Sequence, residues 1–137
     1  MARAIIFGSN CIVAVAIMCT PMAAPVSSEQ KITHTLLLRS ELPDTGGQEV
    51  TVWDTQYAAG AVNPRHLHPA AVTFRVLSGT GVWQEDGKAP VTLRAGDSLL
   101  VPAGTVHSHW NPSGREPLRF LEFIVTEKDK GRSIPRP

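Results

Sequence analysis

From residue 33 onward the chain is a succession of short apolar-rich runs, and none of them carries the apolar period of an amphipathic helix. The runs fall at 33–39, 49–57, 72–77, 81–84, 91–94, 98–101, 106–110 and 118–126. Gly, Pro and Asp punctuate them. Pro43-Asp44-Thr45-Gly46-Gly47 separates the first two, and Asp86-Gly87 sits between Val82-Trp83-Gln84 and Val91-Thr92-Leu93 as a hairpin signal. Ala95-Gly96-Asp97 and Pro102-Ala103-Gly104 divide the next pairs. About eight strands at such spacing predict an all-β sandwich or barrel. The charged, Pro-containing tail 128–137 is expected to cross the surface without packing deeply.

Ahead of these runs, Arg3 is followed by an apolar stretch, 4–18, broken only by Gly8, Ser9 and Asn10, and then by the small-residue region 19–28. The apolar run is shorter than the ~20 residues that span a bilayer. A short basic start, an apolar run and small residues describe a secretory signal peptide, and cleavage after Ser28 would place Val26 and Ser28 at the small-residue positions. The expected organisation is a signal peptide over 1–28 and one domain over 29–137, exported to the periplasm or secreted, with no membrane span in the mature form. Both cysteines, Cys11 and Cys19, lie in the leader, so the mature chain has no disulfide and must rely on core packing.

Charge changes the picture little. Lys and Arg number 13 against 12 Asp and Glu, and the basic residues are scattered. Such a balance offers no footprint for nucleic acid or an anionic membrane. A small-molecule ligand or an ion is the better expectation.

The candidate chemistry lies in the histidines His34, His66, His68, His107 and His109. In a strand, residues two apart point to one face, so His66 and His68 can reach the same ion. A third histidine from a neighbouring strand would complete a site open to water or substrate. Two spaced motifs carry more weight than the pair. Gly60 is followed after five residues by His66-Leu67-His68, then by Val72 and Gly79. Gly96 is followed after five residues by Pro102, then by His107 and Asn111. This pattern resembles the cupin superfamily in every fixed position but one: Val72 stands where the family has a glutamate. The resemblance implies a double-stranded β-helix, or jelly-roll barrel. It also implies a divalent transition metal inside, held by His66, His68 and His107, and association of two copies through the N-terminal strands, which fits 49–57. Imidazole suits several metals, so Fe, Zn, Mn, Ni and Cu all stay open.

Without the glutamate, the site is either three neutral imidazoles around an ion or a barrel that has lost its metal. The first is favoured, because losing one ligand leaves the other three. Such an ion would keep its full charge, favouring an anionic ligand and lowering the pKa of a bound water, as zinc on three histidines does to about 7 in carbonic anhydrase.

Other residues could join the site. His109, two positions after His107, either faces the same ion or ligand or lies at the strand end in solvent. Glu122, flanked by apolar residues, is expected to point outward to solvent or an arginine, since an inward carboxylate would be costly unless paired. Gln84 is a neutral candidate for ligand contact. Phe74 and Trp83 are candidate pocket residues, with ordinary barrel core as the competing assignment. His34 is expected at the surface or at a dimer contact.

The fold hosts many functions. The leading expectation is a metal-dependent, dioxygenase-like enzyme acting on a small organic substrate; the alternative is a non-catalytic metal or small-ligand binding module. With no cysteine in the mature chain and no G-x-S-x-G elbow, a nucleophilic hydrolase is disfavoured.

Overall fold

A computed structural model describes residues 32–137, so the leader over 1–28 lies outside the described residues. The described residues form ten strands and no helix. These are β1 (Ile32–Glu41), β2 (Gln48–Tyr57), β3 (Val62–Leu67), β4 (Val72–Ser78), β5 (Thr80–Glu85), β6 (Val91–Arg94), β7 (Ser98–Val101), β8 (His107–Trp110), β9 (Leu118–Glu127) and β10 (Ile134–Pro135). They pair antiparallel into two five-stranded sheets, β1-β2-β9-β4-β7 and β10-β3-β8-β5-β6. This is the expected all-β double-stranded β-helix. No helix among the described residues is long and apolar enough to cross a membrane.

Two strands add to the sequence expectation. β3 carries Asn63, Pro64 and Arg65 in place of an alternating apolar pattern, and its ladder with β8 shifts register between Asn63 and His66. Pro64 has no N–H to give a ladder, which accounts for an irregularity at that point. β10 is only two residues long, but it pairs Ile134 with Leu67 and Pro135 with His66. The tail therefore runs exposed over the surface, as expected, yet it completes the edge of the second sheet beside His66. Arg136 N–H donates to the Arg65 carbonyl (3.0 Å) and Arg65 Nη1 to that of Pro137 (3.0 Å), which fasten it there.

The inner face of the first sheet changes character along its length. On β2 the inward residues run Glu49, Thr51, Trp53, Thr55, Tyr57, and on β9 Thr126, Ile124, Glu122, Phe120, Leu118 face them in the same order. The apolar end, with Val72, Phe74 and Val76 of β4 and Trp83 of β5, forms the core cluster. The opposite end is polar. Gly79 at the β4–β5 turn has φ +78°, and a Cβ there would lie 2.5 Å from the Pro117 carbonyl oxygen. Only glycine fits both that conformation and that approach.

Candidate metal centre

The register of the second sheet places His66 opposite His107, and His107 opposite Glu85. Directly opposed residues on adjacent strands share a face. His68, two residues after His66, and His109, two after His107, extend the group. All four rings are at most 5% exposed, with centroids 4.4 Å apart for His66–His107, 5.1 Å for His66–His68 and 5.2 Å for His68–His107.

Hydrogen bonds fix the tautomers. Nδ1 of His66 lies 2.8 Å from the Pro64 carbonyl oxygen, Nδ1 of His68 2.6 Å from that of Arg132, and Nδ1 of His107 2.9 Å from that of Thr105. A carbonyl only accepts, so each Nδ1 carries the proton and each Nε2 keeps a lone pair. The Nε2 atoms of His66, His68 and His107 are buried and have no hydrogen-bond partner among the described residues. Three buried lone pairs without donors among the described residues suit a cation, and the carbonyl contacts are the outer support that metal-bound imidazoles use.

His109 differs. One ligand-capable atom each from His66, His107 and His109 lies within 4.8 Å of the other two, so this cluster could hold a metal ion. Yet both His109 nitrogens are engaged: Nε2 faces the Asn63 amide nitrogen at 3.4 Å, and Nδ1 lies 3.0 Å from the Tyr57 hydroxyl. The ring is stacked on Trp83 (5.3 Å, 9°) and Tyr57 (5.4 Å, 18°). It is 1% exposed, so of the two alternatives for His109 the inward-facing one holds and the solvent-facing strand end does not. Phe74 and Trp83 pack around it as core; Trp83 also lines, with Glu85 and His107, a cavity of about 30 Å³, room for about one water. The Trp83 indole N–H is buried without a partner among the described residues.

Burial holds the imidazoles neutral. It lowers His66 and His68 to about 4, against the opposing pull of the carbonyls at Pro64 and Arg132, and neighbouring imidazoles add to the lowering. His107 is also lowered by burial, with the Thr105 carbonyl and the Glu85 charge working the other way, and His109 lies well below its ordinary value. Neutral imidazoles are the ligating form.

The remaining candidates separate. Val72 is fully buried inside the barrel and offers no ligand atom. Glu122 points inward, 2% exposed, which corrects the outward expectation. It accepts from Thr55 Oγ1 (2.8 Å) and from Arg132 Nη1 (3.0 and 3.1 Å), so the charge is buried as a pair. Burial pushes its pKa up, and Arg132 and Thr55 oppose that. His34, though exposed, is 3.0 Å from Thr55 Oγ1 and 2.9 Å from Arg132 Nη1 and so joins the same network. Gln84 does not join the site: it donates to the Lys88 carbonyl (3.4 Å), while its neighbours Trp83 and Glu85 face the histidines.

Sequence reasoning missed Glu85, Tyr57, Asn63 and Arg132. Glu85 had a legible signal, since it lies two residues after Trp83 on one strand. Arg132 had none, because its segment carries no apolar pattern. Asn111, the last motif position, is structural: its amide donates to the carbonyls of Tyr57 (3.3 Å), Ala58 (3.1 Å) and Glu116 (2.8 Å).

Over residues 53–124, more than half of the chain, the sequence matches the family described as Cupin domain. It is similar to germin-like protein 9-1 of Oryza sativa subsp. japonica, 34% identical over 88 residues that cover 59% of this chain and 36% of that protein. With auxin-binding protein T85 of Nicotiana tabacum it shares 28% identity over 102 residues, 68% of this chain and 54% of that protein. The chain thus spans about half the length, or less, of these curated relatives. A solved cupin-like protein of Thermotoga maritima superposes with a TM-score of 0.61 at 26% identity, covering 79% of this chain and 80% of that one. The matched stretch holds all four clustered histidines, and the chain belongs to the cupin family.

Proposed function

We propose that His66, His68 and His107 hold a divalent transition metal through their Nε2 atoms, and that the site acts on a small organic molecule in a dioxygenase-like reaction. The single observation that carries the metal assignment is the set of three buried, partnerless Nε2 atoms. An ion bound there would supply Lewis acidity and open positions for a ligand. The chain's own contribution is geometric and electrostatic. The carbonyls of Pro64, Thr105 and Arg132 orient the imidazoles, and the buried Phe74, Trp83 and Val72 supply apolar walls. With Val72 at the usual carboxylate position and Glu122 neutralised by Arg132, the described carboxylate that acts on the site is that of Glu85, which works on His107 through space. The Glu85 carboxylate, opposite His107, is engaged by Lys88.

Elemental analysis of protein from its native compartment tests this, with His66, His68 and His107 each changed to Ala. Stoichiometric metal in the wild type and its loss in each variant are expected. A metal-free wild type, or retention in His107→Ala, would overturn the assignment. Fe, Zn, Mn, Ni and Cu are the candidate ions. If the metal binds but no substrate turns over, the site is a binding module, a reading in keeping with the name of the tobacco relative.

Association of two copies is the second part of the reading. The outer face of the first sheet exposes Phe123 (39%), Val125 (45%) and Leu100 (60%), and Leu36 and Leu38 are exposed on its edge strand. Light scattering of the purified chain should give twice the monomer mass, and Phe123→Asp should return it to one. Export is read from the leader, and N-terminal sequencing of protein from its host should begin at Glu29.

A further inference from the structure

At the polar end of the barrel lies a cavity of about 370 Å³, within the range of small-molecule sites. None of the four clustered histidines lines it. Arg132 does, and its guanidinium is fixed from two sides. Nη1 is spent on Glu122 and His34, and the group sits 5.3 Å over the Trp53 ring. The N–H groups of Nε and Nη2 have no acceptor among the described residues. An oriented guanidinium with one edge unspent suits a carboxylate.

The other wall is of opposite character. Glu49 also lines the cavity, with its side chain 4% exposed, and its nearest cation is Arg39 Nε at 3.8 Å, beyond hydrogen-bond distance. Beside it are Thr51 and Thr126, 5% and 8% exposed, and the side chains of all three make no hydrogen bond among the described residues. A largely buried carboxylate and two hydroxyls that open onto the cavity are free to accept from a ligand there. The further charges on the lining are Arg39, Lys130 and Asp129, and Lys130 is already paired with Glu127 at 2.8 Å. The cavity therefore presents spare donors at Arg132 and spare acceptors at Glu49.

We infer that this cavity binds a small carboxylate carrying hydrogen-bond donors, hydroxyl or amino, at its other end. The ligand carboxylate meets Nε and Nη2 of Arg132, and its donors meet Glu49, Thr51 and Thr126. Glu49 and Trp53 are four residues apart on β2, roughly 13 Å between Cα atoms, and side chains from both ends shorten that gap to the reach of a few-carbon molecule. The site stands whether or not the histidines hold an ion, so it is tested on chelator-treated protein.

Calorimetric titration of the purified chain with butyrate, 4-hydroxybutyrate, 4-aminobutyrate and butylamine reads the outcome. The two substituted acids should bind at least about tenfold more tightly than butyrate or butylamine. Arg132→Gln combined with Glu122→Gln, which avoids leaving a lone buried charge, should abolish binding of every acid while the unfolding transition stays cooperative. Glu49→Gln should weaken 4-aminobutyrate and spare 4-hydroxybutyrate, since an amide still accepts from a hydroxyl. The inference is overturned if butyrate binds as tightly as the substituted acids, if the Arg132→Gln/Glu122→Gln variant still binds the acids, if Glu49→Gln leaves 4-aminobutyrate binding unchanged, or if no probe binds up to roughly 10 mM.

Discussion

At the histidine end of the barrel, three imidazoles are each fixed by a backbone carbonyl; at the mouth, Arg132, Glu122, Thr55 and His34 are fixed by one another. The first arrangement takes its anchors from backbone carbonyls, two of them beside their own histidines and one from Arg132 in the tail, and it leaves three Nε2 lone pairs without donors among the described residues. The second depends on a residue from the tail, ten positions beyond Glu122 in sequence. Backbone anchoring suits a site that must present fixed geometry. Side-chain anchoring gives a site whose partners can be exchanged for a ligand's. The two ends meet at Arg132, whose carbonyl orients His68 while its guanidinium neutralises Glu122.

Acidification should separate the two ends most. In chelator-treated protein, His66 and His68 titrate at about 4, against 6.5 in the unfolded chain. The unfolded state therefore takes up protons first. The stability these groups contribute is complete above pH 6.5 and is lost as pH falls towards 4, by up to about 1.4 kcal/mol per pH unit for each histidine. Glu122, raised by burial, acts with the opposite sign: its contribution is present at low pH and fades as pH rises. Glu122→Gln should consequently steepen the acid loss. Urea unfolding between about pH 7 and 4.5 reads both effects. A stability that stays flat across that window in Glu122→Gln, where the opposing carboxylate is gone, would show that the imidazoles are not held neutral.

The next largest effect breaks the mouth. Arg132→Ala leaves Glu122 as a buried carboxylate with only Thr55 as partner, which should cost about 3–5 kcal/mol. Replacing both residues by glutamine should recover most of that loss. If the single and double variants are equally unstable, the tail matters through β10 and not through the ion pair.

Asn111→Ala comes third. It strips one amide from three carbonyls and removes the acceptor for the Ser113 N–H at 3.0 Å, at about 1–3 kcal/mol by denaturant unfolding. Metal content per folded molecule should not change, which would assign this motif position to the fold and His107 to the site.

The same contrast explains what was legible in the sequence. The histidine end could be read because its residues sit at fixed spacing on strands whose parity decides their face: His66 with His68, His107 with His109. The barrel was legible from the alternation over 49–57, from the spacing of the short apolar-rich runs and from the turns between them. Glu122 was misjudged because apolar residues flank it on both sides, at Phe120, Leu121, Phe123 and Ile124, so hydrophobicity alone does not show parity. Its buried position makes sense only with Arg132, and a two-residue strand held by Leu67 and His66 leaves no periodic trace. His109 posed the same difficulty, since the residues that draw it inside, Tyr57 and Asn63, lie 52 and 46 positions away.

The smallest expected effect is the sharpest test of parity at the histidine end. Gln84 and Glu85 are adjacent on β5, and only Glu85 shares the cavity with His107. The Gln84 amide instead donates to the Lys88 carbonyl at 3.4 Å, a long bond at the hairpin. Gln84→Ala should therefore change stability by no more than about 0.5 kcal/mol and leave metal stoichiometry untouched. Glu85→Gln removes a negative charge that favours protonated His107, so it should lower the pH at which that imidazole titrates, as followed by NMR in the chelated protein. Loss of metal from Gln84→Ala, with none from the histidine variants, would place the site on the opposite face of the second sheet.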